Sequence, residues 1–90
     1  MKYKKKPDVV EAIHWDGGNL QEVMAFVGAV NRDKIRSYYH AEDLEYEITL
    51  NTHEGWETVD VGDWIVKDGQ GEFHPCKPWV FEKQYEPVEG

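Results

Sequence analysis

Residues 61–88 place the strongest constraint on the fold. They hold two of the four Trp, the only Cys and three of the four Pro. Residues 68–71, Asp-Gly-Gln-Gly, have the composition of a tight hairpin turn, because glycine adopts the backbone angles that such turns need. We therefore predict two antiparallel strands, residues 64–67 and residues 71–74. Pro75 has no N–H for a strand ladder, so it should end the second strand or lie at a sheet edge.

Pro78 predicts the start of a short helix, because the first helical position does not need the missing N–H. The helix should span a turn or two, through residues 79–84. Residues 85–88 should then run extended along the sheet.

The first half of the chain contains the clearest helix signal. Residues 9–15 are rich in β-branched and aromatic side chains and predict a strand that ends at Asp16-Gly17-Gly18. Apolar residues at 20, 23, 24 and 27 then form one helical face, which predicts a helix over residues 19–27. Asn19 should cap it together with Glu22, and Gly28 should end it.

The middle of the chain predicts a hairpin. Residues 44–50 alternate apolar and polar side chains, a pattern typical of a strand with one wet face. A turn at residues 53–55 leads into residues 56–59, which should pair with it in antiparallel fashion. Residues 34–39 could form another strand, and residues 40–43 an acidic loop.

These elements predict a single small α+β domain. We expect a curved, mostly antiparallel sheet of five or six strands, as a roll or partly open barrel, with one α-helix and a short C-terminal helical turn. Residues 1–6 should form a basic tail and residues 7–88 the globular body. Trp15 and Trp64 lie in apolar strand patterns and should be core residues, whereas Trp56 and Trp79 are candidates for an exposed surface.

The charge distribution limits the classes of partner. The chain has 18 acidic and 10 basic residues, a formal net charge of −8, and four of its lysines lie in the first six residues. The remainder holds all 18 acidic residues and only 6 basic ones. A body this acidic repels nucleic acid, so we expect no direct nucleic-acid binding.

Composition also indicates the compartment. A single Cys cannot form an internal disulfide. No apolar run approaches the roughly 20 residues needed to span a bilayer, and no signal-peptide core follows the basic start. We expect a cytoplasmic protein without membrane contact.

Both ends of the chain resemble one family. The opening KYKKKPDVVEAIHWDG and the closing GDWIVKDGQGEFHPCKPWVFEKQYEPV are similar to a family of small uncharacterised proteins of tailed phages and prophages. Its ends read approximately as KKP-VVEA-W and GDWI-KG-GE-YPCKPDIFE-TYEPV. This chain has Asp68 in place of a glycine, His74 in place of an aromatic residue and Trp79 in place of an acidic one. The resemblance implies a phage accessory protein that modulates the host, and hence the host cytoplasm as its location.

The strongest catalytic candidate is Cys76 with His74, which would lie on the same side of an extended segment. A third group and an oxyanion site cannot be named, and a lone Cys between two prolines is more typical of a packing residue. The four His are too scattered to predict a metal site. We expect no cofactor and no metal. Catalysis stays open as the weakest hypothesis.

A ligand site is the alternative. Basic residues near aromatic rings can hold an anionic ligand whose base stacks on a ring. The candidates are the basic residues beyond the tail, the two Trp outside the core patterns and one His: Lys34, Arg36, Lys67, Lys77, Trp56, Trp79 and His74.

The sequence thus favours a small non-catalytic phage-type binding protein that modulates or counters a host defence function by sequestering a ligand such as a nucleotide signal. The alternative is an acidic inhibitor or nucleic-acid mimic, with Glu42, Asp43, Glu45 and Glu47 facing a basic patch of a host protein. The expected partner is therefore a host protein or a small anionic ligand, and homo-oligomer formation stays open.

Overall fold

A computed structural model describes residues 2–5 and 8–87, with side chains described from residue 10 to residue 85. Two helices and eight strands follow one another in these ranges. In chain order they are β1 (Lys2–Lys5), β2 (Asp8–His14), α1 (Leu20–Gly28), β3 (Ile35–His40), β4 (Glu45–Thr52), β5 (Gly55–Val59), β6 (Trp64–Lys67), β7 (Phe73–Cys76), α2 (Pro78–Gln84) and β8 (Glu86–Pro87).

The strands form two antiparallel sheets. One has five strands in the order β7-β6-β2-β1-β8, and the other has three in the order β3-β4-β5. The predicted α+β class is confirmed, as is the antiparallel pairing. The strands number eight, however, and divide between two sheets, where the sequence suggested five or six strands in one curved sheet.

The main core lies between the two sheets. Successive strand residues point to opposite faces, so alternate positions of β2, β6 and β7 face this core. Ile65 and Phe73 enter it from the five-stranded sheet, and Ile48 and Leu50 enter it from β4. Helix α1 contributes Val23 and Val27 to this core. The remaining buried side chains in it are Trp15, Ile35 and Val59.

A second, smaller core covers the opposite face of the five-stranded sheet. Ala12 and Val66 are register neighbours on this face, and Phe81 of α2 packs against it. The three-stranded sheet and α2 therefore lie on opposite sides of the five-stranded sheet.

Helix α1 confirms the predicted helix with a shift of one residue. Asn19 is its N-cap residue, but its side chain makes no capping hydrogen bond. Instead the Asn19 amide donates to the backbone oxygen of His14 at 2.7 Å, and its Oδ1 accepts from the N–H of Asp16 at 3.1 Å. The side chain closes the turn that precedes the helix, which is why the predicted capping box does not form.

The prediction of a free basic tail is wrong for the residues that the structure describes. Lys2–Lys5 is strand β1, which pairs with β2 from Lys2↔Glu11 to Lys5↔Asp8 and also contacts β8. Without β1, the edge of β2 would present unpaired backbone groups. Backbone pairing with β2 and β8 therefore orders this segment as a strand, although its high lysine content predicted a tail.

The C-terminal elements follow the prediction closely. The hairpin of β6 and β7 forms, but its second strand is Phe73–Cys76, two residues later than the predicted 71–74, and it includes Pro75. Because β7 is an edge strand of its sheet, Pro75 lies where its missing N–H is tolerated. Pro78 occupies the start of α2. Residues 30–43, left open by the sequence, contain a 3-10 turn (Arg32–Lys34) followed by strand β3.

Candidate functional site

The two C-terminal motifs that carry the family resemblance contact each other. Lys77, from Pro-Cys-Lys-Pro, donates to Asp60 at 2.7 Å and to Asp63, from Gly-Asp-Trp, at 3.2 Å. Asp63 is buried, and its carboxylate also accepts from the N–H of Asp60 at 3.0 Å. These two carboxylates raise the pKa of Lys77 above its ordinary value, chiefly through the hydrogen bond to Asp60 and then that to Asp63. The contacts fix the turn that leads into β6.

Aromatic stacking joins the same two motifs. The rings of Trp64 and Phe81 stack with centroids 4.1 Å apart and an angle of 7° between their planes. On one side, Phe81 also stacks on Tyr85, with ring centroids 4.9 Å apart. At the other end of the stack, the His14 ring lies against Trp64, with centroids 5.0 Å apart. This stack attaches α2 to the five-stranded sheet, so the shared residues of the motifs build the scaffold.

Cys76 and His74 project from the same face of β7, as the sequence predicted from their spacing. This face is the one that α2 covers, and Cys76 belongs to the second core. Its sulfur lies 3.8 Å from the carbonyl oxygen of Lys77. Burial of Tyr85 beside Cys76 raises the pKa of the tyrosine, mainly through desolvation. A buried, packed thiol is typical of a structural cysteine.

Among the predicted ligand residues, Arg36 and Trp56 come together. The guanidinium of Arg36 lies 4.2 Å from the centroid of the Trp56 ring. Arg36 lies on β3 and Trp56 on β5, with β4 between them. Arg36 is aligned with Thr49 of β4, and Thr49 with Thr58 of β5. Trp56 lies two residues before Thr58, so its side chain is on the same face of the sheet as that of Arg36. This cation–π pair lies on the face of the three-stranded sheet that points away from the core.

The structure distributes the other predicted residues over different surfaces. Lys34 forms an ion pair with Glu72 at 2.9 Å. Lys67 lines a shallow depression with Glu11 and Asp68. Lys77 is held by the two aspartates described above. Trp79 extends from α2 and is 64% exposed, and His74 lies on β7.

The charge environment of these basic residues matters for any ligand. Lys34, Lys67 and Lys77 each have carboxylates as neighbours. The charges of Lys34 and Lys77 are thereby paired within the protein, and Lys67 shares its depression with two carboxylates. An anionic ligand would have to displace or outweigh those carboxylates.

Exposed aromatic and apolar side chains concentrate on the three-stranded sheet and its hairpin. Tyr39 and Tyr46 pack against each other with ring centroids 4.9 Å apart, beyond the last core residue of β4. Leu44, at the tip, is 77% exposed and has a positive φ of 54°. Among the side chains described, from residue 10 to residue 85, eight large hydrophobic ones are exposed, and five of them belong to this region: Tyr38, Tyr39, Leu44, Tyr46 and Trp56. We call these five the hairpin patch.

The hairpin patch was missed in part by the sequence. Alternation predicted Leu44 and Tyr46 on the buried side of their strand together with Ile48 and Leu50. Tyr46 does share that side, but it lies beyond Ile48, the last buried residue of β4, whereas Leu44 lies in the turn before the strand. The sequence did contain a signal that these residues would be exposed. Residues 40–43, next to them in the chain, include two acidic residues and no large apolar side chain that could cover them.

A pocket lies beside this hairpin, at the end of β5. Its volume is about 280 Å³, and Trp15 forms part of its wall. Its polar lining is dominated by carboxylates, together with one imidazole: Asp43, Glu45, Glu47, Asp60 and His40.

The described residues provide neither a metal-binding cluster nor a membrane-spanning helix. No cluster of three or more His, Cys, Asp or Glu side chains that would hold a metal ion occurs there. Within the same ranges, neither helix has the length and hydrophobicity needed to cross a membrane.

Comparison with known proteins identifies no relative: no family model, curated protein or solved structure matches this chain.

Proposed function

We propose that this chain is a non-catalytic binding protein that engages a protein partner through the hairpin patch. The observation that carries the proposal is the concentration of exposed aromatic side chains on one sheet of a protein whose other large apolar residues are mostly buried. Trp56 and Tyr38 lie on the outward face of this sheet, and Tyr39 and Tyr46 lie on the other face, beyond the core. Exposed tyrosine and tryptophan residues are typical of interaction sites, where both residue types are enriched.

Charge supports a protein partner over an anionic small molecule. The predicted basic residues outside the N-terminal strand have carboxylates as neighbours, except that Arg36 lies over Trp56. The hairpin itself carries Glu45 and Glu47. An acidic rim around aromatic residues suits a partner with a basic rim around an apolar centre, because complementary charge speeds and orients association.

The resemblance to phage proteins extends the proposal to its setting. The chain would act in the cytoplasm of an infected bacterium and would modulate a host protein, as an inhibitor does. The motifs that carry the resemblance belong to the scaffold. The middle of the chain, which carries none of these motifs and forms the three-stranded sheet, would therefore determine which host protein is bound.

The test is a comparison of surface variants. Tagged wild-type chain, Tyr39→Ser and Trp56→Ser are used to capture proteins from bacterial lysate, and each captured protein is then purified and titrated against the three chains. We expect one captured protein to bind the wild type at least about tenfold more tightly than either variant, since central aromatic residues of an interface commonly contribute that much.

Trp79→Ser is the matched control, because Trp79 is also exposed but lies on the opposite side of the five-stranded sheet. It should bind like the wild type. If Trp79→Ser loses binding while the two hairpin variants retain it, the hairpin patch is not the contact surface.

The Arg36–Trp56 pair is the one observation that favours the second candidate, sequestration of a nucleotide signal. A nucleobase could stack on the Trp56 ring, and Arg36 could contact a phosphate. Thermal unfolding with a panel of linear and cyclic nucleotides tests this candidate. A rise in Tm with one nucleotide, absent in Arg36→Gln, would favour sequestration over protein binding.

A further inference from the structure

Strand β4 is longer than its neighbour β5, and this leaves a gap in the three-stranded sheet. The β3–β4 pairing continues to His40↔Glu45, whereas the β4–β5 pairing stops at Ile48↔Val59. Residues 45–47 therefore have a paired strand on the β3 side only. On the other side the chain turns away after Val59 into the turn that Asp63 stabilises.

The acidic pocket occupies this gap. Two of its carboxylates already have polar partners, since Asp60 contacts Lys77 at 2.7 Å and Glu47 lies 3.3 Å from Nε2 of His40. Asp43 and Glu45 make no ion pair with the described residues. The carboxylates do not converge into a metal-binding group within those ranges. The gap thus combines an unpaired strand edge with excess negative charge.

Trp15 supplies an independent sign that the gap is incomplete. Its side chain is fully buried and forms part of the pocket wall. Its Nε1, the one polar atom of that side chain, has no hydrogen-bond acceptor among the described residues. Buried donors nearly always have a partner, because an unmade hydrogen bond costs about 1–3 kcal/mol. An occupant of the gap would relieve that cost by a small shift of the pocket wall that brings its acceptor to Nε1, since that atom is buried in the free protein.

We infer that this gap, residues 45–47 with the pocket beside them, receives an extended, basic peptide segment of the partner protein as an added strand. The inference rests on the proposed function and names the segment of the partner that is bound. Backbone groups of the segment pair with the free edge of β4, as in other strand-addition complexes. Its Lys or Arg side chains contact Asp43 and Glu45, and one of its carbonyl oxygens accepts from the Trp15 indole N–H.

The experiment uses two synthetic peptides and the full chain labelled with ¹⁵N. The basic probe is acetyl-Thr-Lys-Thr-Lys-Thr-Lys-Thr-amide, and the acidic probe has Glu at each Lys position. Threonine favours an extended backbone in both. We expect the basic probe to shift the amide resonances of residues 45–47 and the Trp15 indole resonance, which is assigned from its absence in Trp15→Phe. The acidic probe should leave all of them unchanged.

Charge variants separate binding in the gap from general attraction to an acidic protein. Asp43→Asn combined with Glu45→Gln should weaken binding of the basic probe about fivefold, the effect expected of two partly exposed ion pairs. Asp33→Asn combined with Glu82→Gln changes the net charge by the same amount at exposed positions elsewhere. This control should bind the basic probe about as tightly as the wild type, because salt screens exposed charges that lie far from the bound peptide.

The inference is overturned if the basic probe shifts neither the residues 45–47 nor the Trp15 indole, or if the two double variants weaken binding equally. That outcome leaves the hairpin patch untouched as a contact surface, because Tyr39→Ser and Trp56→Ser test it separately. Conversely, loss of the proposed function would appear as unchanged partner binding in those two variants, whatever the peptides do.

Discussion

At residue 63 a carboxylate is buried where the chain turns between β5 and β6. The Asp63 carboxylate accepts hydrogen bonds from the Asp60 N–H and from Lys77. The backbone oxygen of Asp63 accepts from the N–H of Trp15 at 2.9 Å. Gly62, with φ of 99°, takes a conformation that other residues adopt only with strain. The Gly-Asp pair is therefore a structural unit: one residue permits the turn and the next secures it.

Asp63→Ala should destabilise the protein by about 1–3 kcal/mol, because it removes the acceptor for a buried N–H and for an ammonium group. Urea unfolding followed by tryptophan fluorescence measures the change. Asp60→Ala is the matched control, since Asp60 contacts the same lysine with a side chain that is 65% exposed. Equal losses in the two variants would show that burial of Asp63 contributes nothing.

Cys76 is a residue whose structural role can be separated from a chemical one. Its side chain packs in the second core beside Phe81. Cys76→Ala should cost about 1 kcal/mol of stability, as expected for loss of one buried heavy atom. Partner binding by the folded variant should equal that of the wild type, as measured by titration. Loss of biological effect in a fully folded Cys76→Ala chain would instead indicate a reactive thiol.

At the scale of elements, α2 is attached to the five-stranded sheet by aromatic rings. Its seven residues are too few to form a stable helix in isolation. Pro78 begins it, and Phe81 stacks between Trp64 and Tyr85. Tertiary packing therefore provides the stability that local helix propensity lacks.

Trp64→Ala should remove this attachment and destabilise the domain by about 3–5 kcal/mol, the range for loss of a large packed aromatic residue. Trp79→Ala offers a control within the same helix–sheet unit, because Trp79 points to solvent and should change stability by no more than about 0.5 kcal/mol. Thermal unfolding by circular dichroism compares them. A near-native Tm for Trp64→Ala would mean that the stack contributes little.

For the molecule as a whole, the accuracy of prediction from sequence depended on how local the determining forces were. Pro75, Pro78 and the Asp-Gly turn act through their own backbone, so the β6–β7 hairpin and the start of α2 could be predicted. Strand β1 could not, because pairing with β2 and β8 depends on residues distant in sequence. The two-sheet arrangement was missed for the same reason: period-two alternation shows that a strand has a buried face but not which sheet it joins.

The candidate site was predictable to the same limited extent. Arg36, Trp56 and Trp79 were chosen as surface residues by type, and the structure exposes all three. That Arg36 and Trp56 would meet depended on the register of three strands. The gap beside β4 was invisible in the sequence, because it arises from a difference of three residues between the ends of two ladders.

Titration of two groups, Lys77 and Tyr85, links local contacts to the pH dependence of the whole molecule. The carboxylates of Asp60 and Asp63 raise the pKa of Lys77 above 10.5, and burial raises that of Tyr85 above 10.0. In both cases the folded protein holds the proton more tightly than the unfolded chain does. Their contribution to stability is therefore fully present below about pH 10 and is lost as the pH rises through the two raised values.

The free energy of unfolding should accordingly fall as the pH rises above 10, when urea unfolding is measured at intervals from pH 8 to about pH 11.5. Tyr85→Phe removes one of the two groups and should make this decline shallower. Lys77→Met removes the other and should also do so, with a lower starting stability because Asp63 loses a partner. An alkaline decline as steep in both variants as in the wild type would mean that other groups cause it, and that neither the Lys77 ion pairs nor the burial of Tyr85 governs the alkaline limit of the fold.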